Sequence, residues 1–221
     1  MNVLSKTTLA AVALLLTAGS AWAYPVEVGS QVKMYADDNA SIAYQGHYQA
    51  DNLGDSAGKF GVFCLEKDEY FYPGSTYTVA SISNYAYGGG VNTNSGDEID
   101  YATKWLYSHF MAQDILSMVA GVTAYDLDFE LQQAIWKIEG ELPSTTLTGD
   151  ALKLYTAATS ALPTEALAYD VKSMNLVDAC GAPAQSQLIG ELQPVPEPST
   201  LLLLGGGIAG LALARRRAAK K

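Results

Sequence analysis

The groups in this sequence most able to do chemistry are a cysteine and a glutamine, each inside a short apolar motif. Cys64 lies in Val62-Phe63-Cys64-Leu65-Glu66, which has the composition of a buried strand. In such a strand Phe63 and Leu65 face one side, and Val62 and Cys64 face the other. Gln132 lies in Leu131-Gln132-Gln133-Ala134-Ile135-Trp136, which has the spacing of a helix. A thiol can act as a nucleophile, pair as a disulfide, or pack as a small hydrophobic side chain. The sequence alone leaves these three uses of Cys64 open.

These two motifs carry a family resemblance. An aromatic–Cys–aliphatic strand followed by a Q-x-A-I-W helix resembles the Cys–Gln thioester (TQXA-type) domains of bacterial surface adhesins. The resemblance implies that Cys64 is the thiol and Gln132 the acyl donor of an internal thioester, formed with loss of ammonia. Gln133 holds the x position, and Leu131 stands where the family motif has threonine. The structural alternative is that Cys64 packs in the core and Gln132 caps local backbone groups.

A thioester of this kind implies adhesion rather than turnover. A buried thioester is an activated acyl group, shielded from water but open to a positioned amine. Such a domain would attach once, covalently, to an amine-bearing surface protein. The sequence therefore predicts a protein that is not an enzyme.

Other candidate sites have weaker support. Cys64 with His109 would form a nucleophile and base, but the helical spacing places His109 on an apolar stripe. Asp126-x-Asp128-x-Glu130 has the spacing of a calcium loop without its glycine, and acids at a helix start explain it equally well. We expect no metal and no cofactor.

Period-2 and period-3.6 patterns place these motifs on strands and helices. Strands are predicted around Val26–Met34, Ile42–Tyr48, Lys59–Glu66, Thr76–Ile82, Leu167–Val177 and Gln187–Leu192, and helices over Asp100–Phe110, Leu127–Glu139 and after Thr148. Strands, then a helical block, then strands indicate an α+β fold, an antiparallel sheet or sandwich with an inserted helical subdomain.

The C-terminal segment has three parts in a fixed order. Pro196-Glu197-Pro198 comes first, an apolar run over 200–214 follows, and the basic cluster Arg215-Arg216-Arg217 ends the run. Two prolines keep the triplet extended, the apolar run can be helical in lipid, and the arginines favour the cytoplasmic side. Fifteen helical residues reach about 22 Å, less than the hydrocarbon core of about 30 Å. We therefore expect a single, marginal transmembrane helix.

This order resembles the PEP-CTERM sorting tail of Gram-negative bacteria. The resemblance implies export, transient anchoring in the inner membrane, and cleavage near the triplet by an exosortase-type sorting peptidase. It covers only the tail and leaves the function of the preceding domain open.

The N-terminus carries a second targeting signal. Lys6 precedes an apolar run over 9–16, and Ala21-Trp22-Ala23 fits a signal-peptidase cleavage site. The predicted organisation is a signal peptide over 1–23, an exported domain over 24–193, and a sorting tail over 194–221.

The charge of the exported domain limits its partners. It holds seven lysines and no arginine, because the other basic residues lie in the signal peptide and the tail. The domain is therefore more acidic than the formal net charge of −10 of the whole chain, and nucleic acid is a poor partner. Acidic and tyrosine-rich, it suits contact with extracellular polysaccharide or another protein.

Two functions follow from the sequence. The first is an exported surface or extracellular-matrix protein with an adhesive thioester module. The alternative is a passive structural component of the envelope or biofilm matrix, held by a Cys64–Cys180 disulfide. An oxidising compartment favours such a pairing between the two cysteines of the chain.

Overall fold

A computed structural model describes residues 24–36, 47–55, 58–88 and 96–193. The predicted signal peptide, the sorting tail and the transmembrane helix predicted within that tail lie outside the described residues. So do Ile42 and Tyr44 of the second predicted strand.

Six strands form one antiparallel sheet. They are β1 (Gln31–Ala36), β2 (Tyr48–Asn52), β3 (Lys59–Val62), β4 (Thr76–Ser83), β7 (Tyr169–Val177) and β8 (Pro183–Leu192). Their order across the sheet is β3-β2-β1-β4-β7-β8. Two short strands, β5 (Tyr85–Ala86) and β6 (Asp97–Glu98), pair with each other.

The two edges of this sheet meet. Directly after β3, Cys64 pairs with Gln187 of β8 in an isolated antiparallel bridge. The Leu65 N–H donates to the Ser186 carbonyl at 3.0 Å, and the Leu188 N–H donates to the Phe63 carbonyl at 2.8 Å. The sheet thus curls into a closed, barrel-like layer, which leaves neither edge of this region unpaired.

Residues around the closure alternate between two apolar cores, as the strand period requires. Val62 and Cys64 face the inside of the curled sheet with Val32, Met34 and other inward residues. Phe63 and Leu65 face the outside and pack against the helices. The alternation predicted for this segment is confirmed.

Four helices follow one another between β6 and β7 and cover the outer side of the sheet. They are α1 (Tyr101–Met111), α2 (Ile115–Met118), α3 (Leu127–Ile138) and α4 (Gly149–Ser160). Phe63 contacts Phe110 of α1 edge-on, with ring centroids 4.9 Å apart. The helical block therefore rests on the strand segment that carries Cys64.

The α+β class and the helical block predicted from the sequence agree with this fold. One curled sheet replaces the alternative of a two-sheet sandwich, because the segment after β3 turns back to β8 instead of ending at an edge. Within the described ranges, none of the helices has the length and apolar character needed to cross a membrane.

Gly96 offers a test of how the β5–β6 ribbon is built. Its φ is +102°, and a Cβ there would collide with the Ala86 carbonyl oxygen across the ribbon. We expect Gly96→Ala to lower the free energy of unfolding by about 2–4 kcal/mol, from left-handed backbone strain and the clash together. Urea denaturation measures the loss.

The matched control is Gly74→Ala. Gly74 has a φ of +85°, and the space that a Cβ would occupy there is open, so only the strain of about 1 kcal/mol applies. Equal losses in the two variants would contradict the proposed clash.

Candidate functional site

The candidate site lies where the curled sheet closes, and it brings Cys64 and Gln132 together. Cys64 is 1% exposed and Gln132 is fully buried. The Cys64 N–H donates to Gln132 Oε1 at 2.8 Å, and Gln132 Nε2 donates to the Cys64 carbonyl at 2.8 Å. The side-chain amide of a helix thus binds the backbone of a strand through both of its polar atoms.

Strand pairing explains why those backbone groups are available. Cys64 and Gln187 form a pair whose backbone hydrogen bonds are made by their neighbours, so the N–H and carbonyl of Cys64 point away from β8. On the other side, the described register of β2 with β3 ends at Tyr48 opposite Val62. Gln132 therefore takes the place of a neighbouring strand at Cys64.

The amphipathic pattern of α3 places the Gln132 amide at the Cys64 backbone. Leu131, Ala134 and Ile135 are buried against the outer core. Gln132 lies among these apolar positions and is one of the few polar side chains that α3 buries completely. A buried amide requires partners, and the Cys64 backbone supplies one donor and one acceptor.

A second buried glutamine, Gln187, contacts the sulfur itself and was not predicted. Cys64 Sγ lies 3.6 Å from Gln187 Oε1 and 3.4 Å from Gln187 Nε2. Gln187 is fully buried. The sequence offered only its place on a predicted strand, since a cross-strand partner depends on register. Two carboxamides therefore flank Cys64, one at its backbone and one at its thiol.

Burial keeps the thiol of Cys64 protonated. Desolvation raises the pKa of Cys64 far above its usual range, the Gln187 hydrogen bond opposes this, and the carboxyl of Glu66 adds to it. A protonated thiol is a weak nucleophile. Any reaction at Cys64 must therefore move the thiol proton to an adjacent group.

The two cysteines are free thiols and are not brought together, which corrects the pairing considered as an alternative. Cys64 is buried and Cys180 is exposed. Cys180 lies in the turn before β8, and Gln187, the partner of Cys64, lies four residue steps along β8 from Pro183. That stretch alone spans roughly 13 Å, whereas a disulfide requires Cα atoms within about 7 Å.

The weaker candidates are accounted for by other contacts. His109 Nδ1 lies 2.8 Å from Asp114 Oδ1, and its ring packs on Trp105. Asp126 precedes α3, Asp128 and Glu130 lie in its first turn, and Glu130 accepts the N–H of Ala151. Over the described ranges, no group of three His, Cys, Asp or Glu side chains is placed to share a metal ion.

The far end of α3 carries a buried acid that fixes α3 to α1. Glu139 is 7% exposed, and its Oε1 accepts the N–H of Asp100, the residue before α1, at 3.2 Å. Burial raises the pKa of Glu139 to about 8, and the nearby carboxylates of Asp97 and Asp100 act in the same direction. The helix that positions Gln132 is therefore held in part by a group that titrates near neutral pH.

Comparison with known proteins gives a functional match for the C-terminal tail alone. Residues 194–217 match the PEP-CTERM protein-sorting motif. No curated protein and no solved structure matches the chain. The motif supports an exported protein that passes through the membrane to the cell surface and is processed by an exosortase-type sorting peptidase.

Replacing Gln132 tests how much the paired amide stabilises the fold. Gln132→Met keeps the shape of the side chain but leaves the buried N–H and carbonyl of Cys64 without partners. We expect a loss of about 2–5 kcal/mol in the free energy of unfolding, measured in urea. Gln133→Met, at the half-buried neighbouring position, should change it by less than about 0.5 kcal/mol. Similar losses in both variants would show that the Gln132 pairing contributes nothing specific.

Stability should fall as the pH rises, because Glu139 binds its proton more tightly in the folded chain. The contribution is complete below pH 4.5, the ordinary pKa of the acid, and is lost as the pH approaches 8. We expect Glu139 to account for roughly 4 kcal/mol across this window. Thermal melts between pH 4.5 and 8.5 measure the slope. Glu139→Gln should flatten it markedly, and an unchanged slope would contradict the assignment.

Proposed function

We propose that this chain is an exosortase-sorted surface protein whose exported domain carries an internal acyl site formed by Cys64 and Gln132. The observation that supports this most is the pair of 2.8 Å hydrogen bonds between the Gln132 amide and the Cys64 backbone. It puts the two residues named by the thioester resemblance in direct contact, 68 positions apart in the chain.

The reaction balances without any added oxidant or cofactor. Cys64 Sγ attacks Cδ of Gln132, the C–N bond of the amide breaks, and the thiol proton leaves with the nitrogen as ammonia. A later amine attacks the same carbon, forms an amide with the Gln132 side chain, and returns the proton to Sγ. Each domain reacts once, so this is attachment chemistry and not turnover.

The backbone of Cys64 favours this step electrostatically. Its N–H donates to Gln132 Oε1, the oxygen on which negative charge develops when the carbonyl is attacked. The contacts of Cys64 Sγ are with Gln187, at 3.6 Å from Oε1 and 3.4 Å from Nε2. The thiol must therefore turn from Gln187 towards Cδ of Gln132 before it attacks from above the amide plane.

The surroundings favour a stable acyl group. Burial of Cys64 and Gln132 keeps water from hydrolysing a thioester before a partner arrives. The partner class is then an amine-bearing surface protein or matrix component at the cell surface, where the sorting motif sends the chain.

A second function is favoured by the same hydrogen bonds. The Gln132 amide satisfies two backbone groups of Cys64, and burial keeps the thiol protonated. A passive structural domain of the envelope or matrix, with free thiols and no acyl chemistry, would need these contacts for packing alone. Only a chemical measurement separates the two functions.

The test is the intact mass of the exported chain purified without reductant. The acyl site predicts a mass deficit of about 17 Da, the loss of ammonia, with methylamine incorporated at Gln132. Cys64→Ser and Gln132→Met should each restore the full mass and abolish incorporation. A full mass in the wild-type chain would overturn the acyl site and favour the passive structural domain.

A further inference from the structure

A buried acid, Glu66, lies two residues beyond Cys64 at the closure of the sheet. It is 2% exposed. The Ser186 N–H donates to Glu66 Oε2 at 2.7 Å, and Ser186 Oγ lies 2.7 Å from Glu66 Oε1. Among the ion pairs of the described residues, none involves Glu66. A buried carboxylate without a cation is costly, so the position of its proton matters.

The orientation of Asn175 fixes the other side of Ser186. Asn175 Nδ2 lies 2.9 Å from the Tyr85 carbonyl, which can only accept, so the amide nitrogen must face it. Asn175 Oδ1 therefore faces Ser186 Oγ at 2.7 Å, and it also accepts from Ser173 Oγ at 3.0 Å. The Asn175 oxygen cannot supply a hydrogen to Ser186.

Ser186 Oγ thus lies at hydrogen-bond distance from two oxygens but has one hydrogen. If that hydrogen went to Glu66, Ser186 and Asn175 would face each other at 2.7 Å through lone pairs alone. If it goes to Asn175, the contact with Glu66 is favourable only when Glu66 itself carries a hydrogen. The Tyr87 N–H, 3.4 Å from Ser186 Oγ, fits the second lone pair in that arrangement.

We propose that Glu66 is a neutral carboxylic acid that donates its proton to Ser186, which in turn donates to Asn175, and that this chain of hydrogen bonds fastens β8 to the Cys64 segment. The proposal goes beyond the acyl site and does not depend on it. Glu66 would be a positioning residue for the closure beside Cys64.

The other groups around Glu66 agree with a neutral acid. Burial raises the pKa of Glu66, and hydrogen bonds from Ser186 and Gly88 only partly oppose it. Cys64, on the same segment, and Glu69, whose carboxylate lies near Gly88, carry no positive charge. The next residue, Lys67, is a cation, but its ammonium pairs with Asp68 and its side chain is 41% exposed. No cation is among the groups that shift the pKa of Glu66, so these neighbours would not stabilise an ionised Glu66.

Losing the proton would loosen the closure. Ionised Glu66 would accept the hydrogen bond of the Ser186 hydroxyl, so the hydrogen bond from Ser186 to Asn175 would be lost. A negative charge would also lie in the core. Gln185 Nε2 also donates to the Glu66 carbonyl, and the Leu65 N–H donates to Ser186. Both contacts join the same two segments next to the Cys64–Gln187 pair. Alkaline pH should therefore open the sheet first where the Cys64 segment pairs with β8.

The decisive variant is Glu66→Gln in the full chain. Glutamine keeps the shape and is always neutral, with an N–H for Ser186 Oγ and an oxygen for the Ser186 N–H. Both chains carry Glu139→Gln so that Glu139 adds no pH dependence. In that background, the folding equilibrium constant should fall at least tenfold between pH 5 and pH 9 with Glu66 present. With Glu66→Gln it should fall by only about twofold, because the Cys64 thiol ionises more readily in the unfolded chain. At pH 9 the Glu66→Gln chain should have the larger constant of the two.

An ionised Glu66 would give the opposite result. If Glu66 is ionised in the folded chain, Glu66→Gln will lower the equilibrium constant at pH 7 and above, and the pH slope of the parent will be shallow or reversed. That outcome overturns the proposal. It leaves the acyl site untouched, since the intact mass reports Cys64 and Gln132 alone.

Infrared spectroscopy reads the proton directly. At pH 7 the Glu139→Gln chain should show the carbonyl stretch of a protonated, hydrogen-bonded carboxyl group, and Glu66→Gln should remove it. Ser186→Ala should shift that band to higher frequency, because its hydrogen-bond acceptor is gone. Absence of the band, or no shift in Ser186→Ala, would overturn the proposal.

Discussion

The fold depends on completing the backbone hydrogen bonds of one residue, Cys64. It lies where the segment after β3 leaves β2 and turns to β8, and a strand cannot leave its neighbour without exposing N–H and carbonyl groups. The Gln132 amide offers one acceptor and one donor, spaced like a peptide group, and closes that gap with two 2.8 Å bonds. A helix therefore completes the sheet at this point, which ties the helical block to the closure.

This constraint explains why chemistry and packing converge on the same atoms. Cys64 belongs to the inner core, whereas Phe63 and Leu65 belong to the outer core under the helices. The backbone between them carries the contact with Gln132, and the side chain carries the contact with Gln187. Glu66 and Ser186 form the neighbouring contact between the Cys64 segment and β8. Any reaction at Cys64 must therefore use groups that also hold the sheet closed.

Much of this architecture was predictable because it is periodic. The strand and helix patterns located the helical block, and the alternation of Val62 through Leu65 predicted which side chains face each core. The Cys64–Gln132 contact was expected only from the family resemblance, since nothing in either local pattern requires residues 68 positions apart to meet. Gln187 and Ser186 were not identified as site residues at all, because their roles depend on the register of β8 against a segment outside the main strands.

The sequence by itself determined the C-terminal sorting motif, the α+β class and the two motifs around Cys64 and Gln132, since each depends only on composition or on a local period. The PEP-CTERM motif is such a signal, read without any fold. Only the tertiary structure decided that the sheet closes, that Cys180 is remote from Cys64, and that Glu66 lies between donors and acceptors in the core. These follow from strand register and burial, which are set by contacts between distant segments, and a local pattern carries no record of them.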